Sequence, residues 1–208
     1  MNDRDARAWL REHFGVSRET AVAAFAEMVI AESAEQNLIS QSTMTTMWLR
    51  HIVDSAQLLT MLPSHAGPGR WVDIGTGAGF PGLIVALLTD RQVVLVEPRR
   101  KRAAFLASAV VALALGERVS VHASRIEQVD IRGTADVISA RAVAHCADLF
   151  AAADHISGGK TVWLLPKGIN ALEEVEAARR TWHGSFHVEQ SMTQPGSLVI
   201  IATGVSRR

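Results

Sequence analysis

The chain has 208 residues, 48% hydrophobic and 20% charged, with 21 basic and 21 acidic side chains that cancel at neutral pH. That length and content describe one globular domain of ordinary size, with enough apolar material to bury both faces of a sheet. Zero net charge excludes a global field drawing the protein to nucleic acid or membrane, and a lone Cys146 excludes an internal disulfide and suits a reducing compartment.

The N-terminus, MNDRDARAWLREHF, is charged throughout and lacks the apolar centre of a secretory signal. Residues 1–65 read as helical. Ser17 is placed to cap a helix with Val22, Phe25 and Val29 on one face, and a second helix over roughly 43–62 carries Met44, Trp48, Ile52, Leu59 and Leu62. PSHAGPG (63–69) then breaks the pattern. The division expected is a helical extension, 1–65, packed on the core of a domain over 66–208.

After the break the rhythm becomes strand-like at WVDIG (71–75), VVLVE (93–97), VSVH (119–122), DVISA (136–140) and TVWLL (161–165). Helical stretches near 81–89, 99–115, 144–156 and 169–181 separate these runs. Strands that are apolar almost throughout and spaced by helices predict a parallel sheet covered on both faces. FHVEQSM and SLVIIAT (197–203), joined by a short turn at Gln194–Gly196, must run antiparallel. RRKRAAFLASAVVALALG (99–116) imitates a targeting segment, but it is internal and shorter than the roughly 18–20 apolar residues of a span. A buried amphipathic helix is the expectation there, and a soluble, cytoplasmic protein with no membrane partner is the expectation for the chain.

Residues 71–82, WVDIGTGAGFPG, hold the strongest signal: a strand, a glycine turn and a helix start, the part with which α/β proteins hold nucleotide-like cofactors. Asp73, Gly75, Gly77 and Gly79 fit the D-x-G-x-G-x-G of class I methyltransferases that use S-adenosylmethionine. Gly77, Gly79 and Gly82 fit G-x-G-x-x-G, the dinucleotide fingerprint, which alone is weak. Glu97, ending the next strand, serves ribose hydroxyls in either reading. Three features favour the methyltransferase. The glycine directly after the strand is Gly75, which puts Phe80 where a third dinucleotide glycine belongs. Asp73 lies inside the strand end, where an acid orders the loop. Pro81 removes a main-chain donor that a pyrophosphate would use. A nicotinamide-dependent oxidoreductase remains the alternative from another class.

Further motifs follow in order: Asn37–Leu38, RHIVDS (50–55), VEPRRKRAAFL (96–106), SRIEQ (124–128), SARAVA (139–144) and LLPKG (164–168). With DIGTGAGFPG (73–82), they make the chain resemble the bacterial 16S ribosomal RNA guanine-N7 methyltransferase family, historically called glucose-inhibited division protein B. The resemblance spans about residues 37–168. It implies a class I, Rossmann-like fold: a mostly parallel seven-stranded sheet with an antiparallel final strand. The implied cofactor is S-adenosylmethionine, with S-adenosylhomocysteine as product. The implied reaction methylates N7 of a guanine in the 530 loop of 16S rRNA, position 527 in the usual rRNA numbering.

Carried onto matching positions, the resemblance places the cofactor against Gly75, Phe80 and Glu97, with Ile126 packing on adenine and Glu127 contacting it. Arg141 would face the methionine end and the target base, and Lys167, in a loop after Pro166, would engage RNA. His51 is placed beside the cofactor pocket. Its spacing with Asp54 and Ser55 imitates a hydrolase triad, but one helix cannot aim all three, and no G-x-S-x-G elbow is present. Catalytic candidates are thus Arg141, Lys167 and His51.

The zero net charge makes a local patch necessary for RNA, and Arg99, Arg100, Lys101 and Arg102 at a helix start can supply phosphate contacts, as can Lys167. With 5% aromatic residues and no Tyr, serial base stacking is not the expected mode; shape and phosphate contacts to 16S rRNA or a small-subunit particle are. Cys146 follows His145 and not a proline, so it reads as a core residue and not as the nucleophile of cytosine methylation. The histidines lack metal-ligand spacing, so no metal is expected. A monomer is expected. Within the class, a methyltransferase for another RNA or a small molecule stays open, as does a catalytically silent RNA-binding factor.

Overall fold

A computed structural model describes all residues, 1–208. The chain opens on helices α1 (Asp3–Phe14) and α2 (Val16–Ser33), a short α3 (Gln41–Met44), a π-helical segment (Trp48–Val53) and α4 (Asp54–Thr60). Asn2 caps α1 in a capping box with Asp5. α2 begins at Val16, with Gly15 as its N-cap and the Gly15 carbonyl accepting from Glu19 N. The expected cap at Ser17 is therefore corrected: α1 runs so close to α2 that Gly15 both ends one helix and starts the next, leaving Ser17 inside the first turn. Buried Glu19 locks the pair, accepting from Arg7 and Arg11 at 2.6 and 3.0 Å. Burial pushes its carboxyl up, but the two guanidiniums outweigh that and hold it below the usual range.

The second expected helix is broken into three pieces. Its middle turns widen to π geometry, and the Asp3 carboxylate receives the Trp48 and Leu49 N–H groups at 3.2 and 3.0 Å. An acid from another helix thus caps the first N–H groups of this segment, which have no partner within it.

Seven strands form one sheet in the order β3-β2-β1-β4-β5-β7-β6. These are β1 (Trp71–Ile74), β2 (Val93–Val96), β3 (Val119–His122), β4 (Val137–Ala140), β5 (Val162–Lys167), β6 (Trp182–Gln190) and β7 (Leu198–Arg207). The first five are mutually parallel and β7 pairs antiparallel with both β5 and β6, as the sequence rhythm predicts. Helices α5 (Gly82–Leu88), α6 (Arg100–Ala112), α7 (Cys146–Ala152) and α8 (Ala171–Ala178) complete the layers. Trp71, Leu95 and Leu164 pack on one face of the sheet with Leu10, Phe25 and Ile52 of the N-terminal helices, in a single apolar cluster. Trp163 and Phe150 centre the cluster on the other face.

β5 runs two residues further than expected, so Pro166 and Lys167 are strand residues and not loop. Pairing with β4 ends at Ser139↔Leu164, while β7 continues alongside to Lys167. Pro166 therefore sits where the strand has one neighbour, a position that tolerates a missing N–H. No helix is long and apolar enough to cross a membrane.

Candidate active site

The loop between β1 and α5 is held from below by Asp73. Its carboxylate is fully buried and accepts from Gly82 N at 2.9 Å and Ser139 Oγ at 2.7 Å, while Trp71 Nε1 donates to the same Ser139 Oγ at 2.8 Å. Burial pushes the Asp73 carboxyl up to about 6 against the opposing pull of these hydrogen bonds. Asp73 orders the loop from below and is not among the residues that line the cleft above it. Gly79 likewise stands behind the cleft wall: a Cβ there would lie 2.5 Å from Phe25 Cζ, so this glycine lets α2 close on the loop.

Gly75, Gly77 and Phe80 do line a cleft of about 630 Å³, together with Glu97, Ile126 and Glu127. Glu97, almost fully buried at the end of β2, accepts from Gly77 N at 2.9 Å and Arg99 N at 2.8 Å. Each oxygen keeps a further lone pair, the acceptor set that two vicinal ribose hydroxyls require. Gly77 has φ +62°, and a Cβ there would meet only Arg102 Nη1 at 3.7 Å and Gly75 O at 3.8 Å, within the cleft space itself. The loop therefore offers a cradle that a side chain would fill, flanked by an apolar wall at Ile126 and Leu38. These residues fit S-adenosylmethionine: a ribose partner, a close main-chain approach and an apolar slot for adenine.

A second, more polar cleft of about 650 Å³ adjoins the first, and the two share His51 and the segment Arg141–Ala144 that follows β4. Arg141 donates to Asp54 Oδ2 at 3.2 Å, to the Arg50 carbonyl at 3.4 Å and to His51 Nδ1 at 3.2 Å. That last bond requires Nδ1 to be an acceptor, so the ring proton is on Nε2, which faces Thr43 Oγ1 at 2.9 Å. Burial, then the Arg141 and Arg50 cations, push the His51 pKa down to about 4, so the ring is neutral near pH 7. It stacks on Phe80 at 5.2 Å between ring centres. Ser55 turns away and donates to the His51 carbonyl, which removes any triad.

Lys167 lines the second cleft, but its ammonium binds Glu174 at 2.8 Å and the Ala144 carbonyl, and its side chain is 9% exposed. The amine expected to engage RNA is thus anchored within the protein, and Glu174, on α8, also accepts from Cys146 N at 3.0 Å. The basic run divides as well. Arg99 and Arg102 line the cofactor cleft, Arg102 donating to the Asn37 carbonyl at 3.1 Å, whereas Arg100 and Lys101 are exposed on α6. Cys146 is fully buried, and burial pushes its thiol up to about 11. No three His, Cys, Asp or Glu side chains gather as a metal site would need.

Sequence reasoning missed Arg125, Val143, Arg50, Glu174 and the turn Ser191–Ser197, all of which wall the two clefts. Arg50, Arg125 and Val143 lay within motifs already singled out; the turn was legible only as the connection of a hairpin.

A doubly wound sheet closed by an antiparallel β7, with a glycine cradle after β1 and an acid ending β2, defines a class I S-adenosylmethionine-dependent methyltransferase. The family model described as GidB, rRNA small subunit methyltransferase G, matches residues 18–197. The chain belongs to that family. The Ribosomal RNA small subunit methyltransferase G of Zymomonas mobilis is 43% identical, covering 99% of this chain and 95% of its own. That of Rhizorhabdus wittichii is 43% identical over 100% of this chain and 95% of its own. Among solved structures, an O-methyltransferase from Bacillus cereus in complex with SAH aligns with a TM-score of 0.58 at 14% identity, covering 86% of this chain and 90% of that one. TomG, an O-methyltransferase from Streptomyces achromogenes in complex with SAM, gives 0.57 at 15% identity, covering 86% and 89%. At such identity these two speak for the fold alone.

Proposed function

We propose that the protein transfers the methyl group of S-adenosylmethionine to N7 of a guanine in the 530 loop of 16S rRNA, position 527 in the usual rRNA numbering. The observation that carries this reading is the meeting of two clefts across His51 and Arg141–Ala144, one suited to a nucleoside cofactor and one polar and open. The relatives' name, Ribosomal RNA small subunit methyltransferase G, supplies the substrate class. The cofactor, when bound, supplies an electrophilic methyl group on a sulfonium.

Guanine N7 carries a lone pair and no proton, so the chain needs no general base, and a weakly basic His51 and an unreactive Cys146 accord with that. What remains for the protein is alignment and exclusion of water. Phe80 and His51 wall the junction, and Val143 covers the glycine loop from the other side. Arg141 is the cation at the junction and donates to the guanine acceptor O6 beside N7. Exposed Arg100 and Lys101 take backbone phosphates, leaving Arg99 and Arg102 to the rim of the cofactor cleft. In this reading the protein acts as a cytoplasmic monomer on a small-subunit particle, and residues 1–65 are an extension of the 66–208 domain that supplies His51.

The test is transfer of labelled methyl to small ribosomal subunits from a strain lacking the modification, mapped by 7-methylguanosine-specific strand cleavage. Label on the 530-loop guanine is expected. Label elsewhere discards the target and keeps the class; no label, with cofactor binding intact, discards the ribosomal substrate.

A further inference from the structure

Asp54 opens α4 and gathers groups from three separate parts of the chain. Its Oδ2 accepts from Arg141 at 3.2 Å; its Oδ1 accepts from Thr193 Oγ1 at 2.7 Å and from Gln57 Nε2 at 2.9 Å. Gln57, fully buried, returns its Oε1 to Met192 N at 3.0 Å and donates to Ser191 Oγ at 3.0 Å. Arg50 adds a bond to Gln194. The β6–β7 turn is thus pinned to the helix that carries His51, and its residues Ser191, Thr193, Gln194 and Ser197 form the far wall of the second cleft.

The same carboxylate is the only anion in contact with Arg141, whose other two acceptors, the Arg50 carbonyl and His51 Nδ1, are neutral. This matters for the proposed reaction, on which the inference rests. As the N7–CH3 bond forms and the S–CH3 bond breaks, the bonding pair leaves with sulfur and the purine takes up the positive charge. An uncompensated guanidinium beside that purine would oppose the step, since two like charges at contact in a sheltered site repel strongly. A guanidinium paired with a carboxylate still donates through its remaining N–H groups, at a net charge near zero.

We propose that Asp54 is a positioning residue for methyl transfer, its carboxylate aiming and neutralising Arg141 at the meeting of the clefts while pinning the 191–197 turn as a wall of the substrate site. The two functions are separable because they use different oxygens. Asp54→Asn keeps the shape and one acceptor but loses the charge; Thr193→Val keeps the ion pair but frees the turn.

The experiment measures single-turnover and steady-state methylation of small subunits, subunit affinity, and cofactor affinity by calorimetry, for wild type and both variants. Asp54→Asn is expected to slow the transfer step at least tenfold, with cofactor affinity unchanged and subunit affinity unchanged or tighter, because one negative charge near RNA is gone. Thr193→Val is expected to raise KM for subunits several-fold with kcat within twofold. An Asp54→Asn variant that transfers at the wild-type rate, or loses only affinity, overturns the charge role. A Thr193→Val variant with unchanged KM overturns the wall role. Absence of label with wild type overturns the guanine-N7 reading itself, and this inference with it.

Discussion

Gly77 donates its N–H to Glu97 while its α-carbon faces open cleft, so one residue both fixes the ribose acceptor and leaves room for the ligand. Gly77→Ala puts a methyl group into that room at a left-handed φ of +62°. The expected result is a loss of about 1–2 kcal/mol in stability from the backbone and a far larger loss, about a hundredfold, in cofactor affinity by calorimetry. Unchanged affinity would remove Gly77 from the site. Residue types around it were legible in the sequence because the backbone demands them: Asp73 and Glu97 are acids facing main-chain N–H groups, and Gly75 and Gly77 take positive φ. Which of them lines the cleft was not legible. Asp73 and Gly79 share the motif with Gly77, yet one faces the core of the sheet and the other faces Phe25.

Among the elements, the turn after β4 is held by its neighbours more than by itself. Ala142 sits at φ +56°, a strained conformation for a residue with a Cβ, and the segment is anchored by Lys167 to the Ala144 carbonyl and by Glu174 to Cys146 N. Lys167→Met leaves the Glu174 carboxylate, only 14% exposed, without its cation. A loss of about 2 kcal/mol is expected, discounted from the 3–5 typical of fully buried pairs, which lowers Tm by roughly 4–8 °C. Adding Glu174→Met should recover most of it, and thermal melts of the two variants decide the matter; equal melting of both would mean the pair does not hold the turn. The order of strands and helices after residue 70 follows the sequence rhythm, most closely at β1, β2 and β4, which are buried on both faces; β6 and β7, exposed on one side, begin or run on several residues beyond the expected bounds. The 43–62 helix did not: it divides into α3, a π segment and α4, and the first N–H groups of the π segment are capped by Asp3, forty-five residues before Trp48 in the chain.

At the scale of the molecule, stability should respond to pH through two groups of opposite sign, buried Asp73 and partly buried His51. Asp73 has its carboxyl raised to about 6, so the folded state holds a proton that the unfolded chain releases from pH 3.8 upward. Its contribution therefore falls as pH rises from about 4 to 6. His51 is lowered to about 4 from 6.5, so the unfolded chain binds the extra proton, and its contribution rises with pH through nearly the same window. Each spans on the order of 3 kcal/mol, and in the wild type they nearly offset. Relative to wild type, Asp73→Asn should gain stability between pH 4 and 6, while His51→Gln should lose it. Denaturant titrations at pH 4.5 and 7 check this; parallel curves for all three proteins would refute both assignments.

The sequence by itself determined the sheet, the cofactor loop, the acid ending β2 and the family, because these rest on local rules: apolar runs spaced by helices, left-handed glycines and acids facing nearby main-chain donors. Only the tertiary structure decided which charges are free. Lys167 looks like an RNA contact until Glu174 arrives from α8, and Arg102 looks the same until the Asn37 carbonyl accepts from it. Asp54 looks like a helix residue until Arg141 and Thr193, 87 and 139 positions away, meet on its two oxygens. An ion pair or a hydrogen bond depends on distance in space, and for such pairs the spacing along the chain carries no record of it.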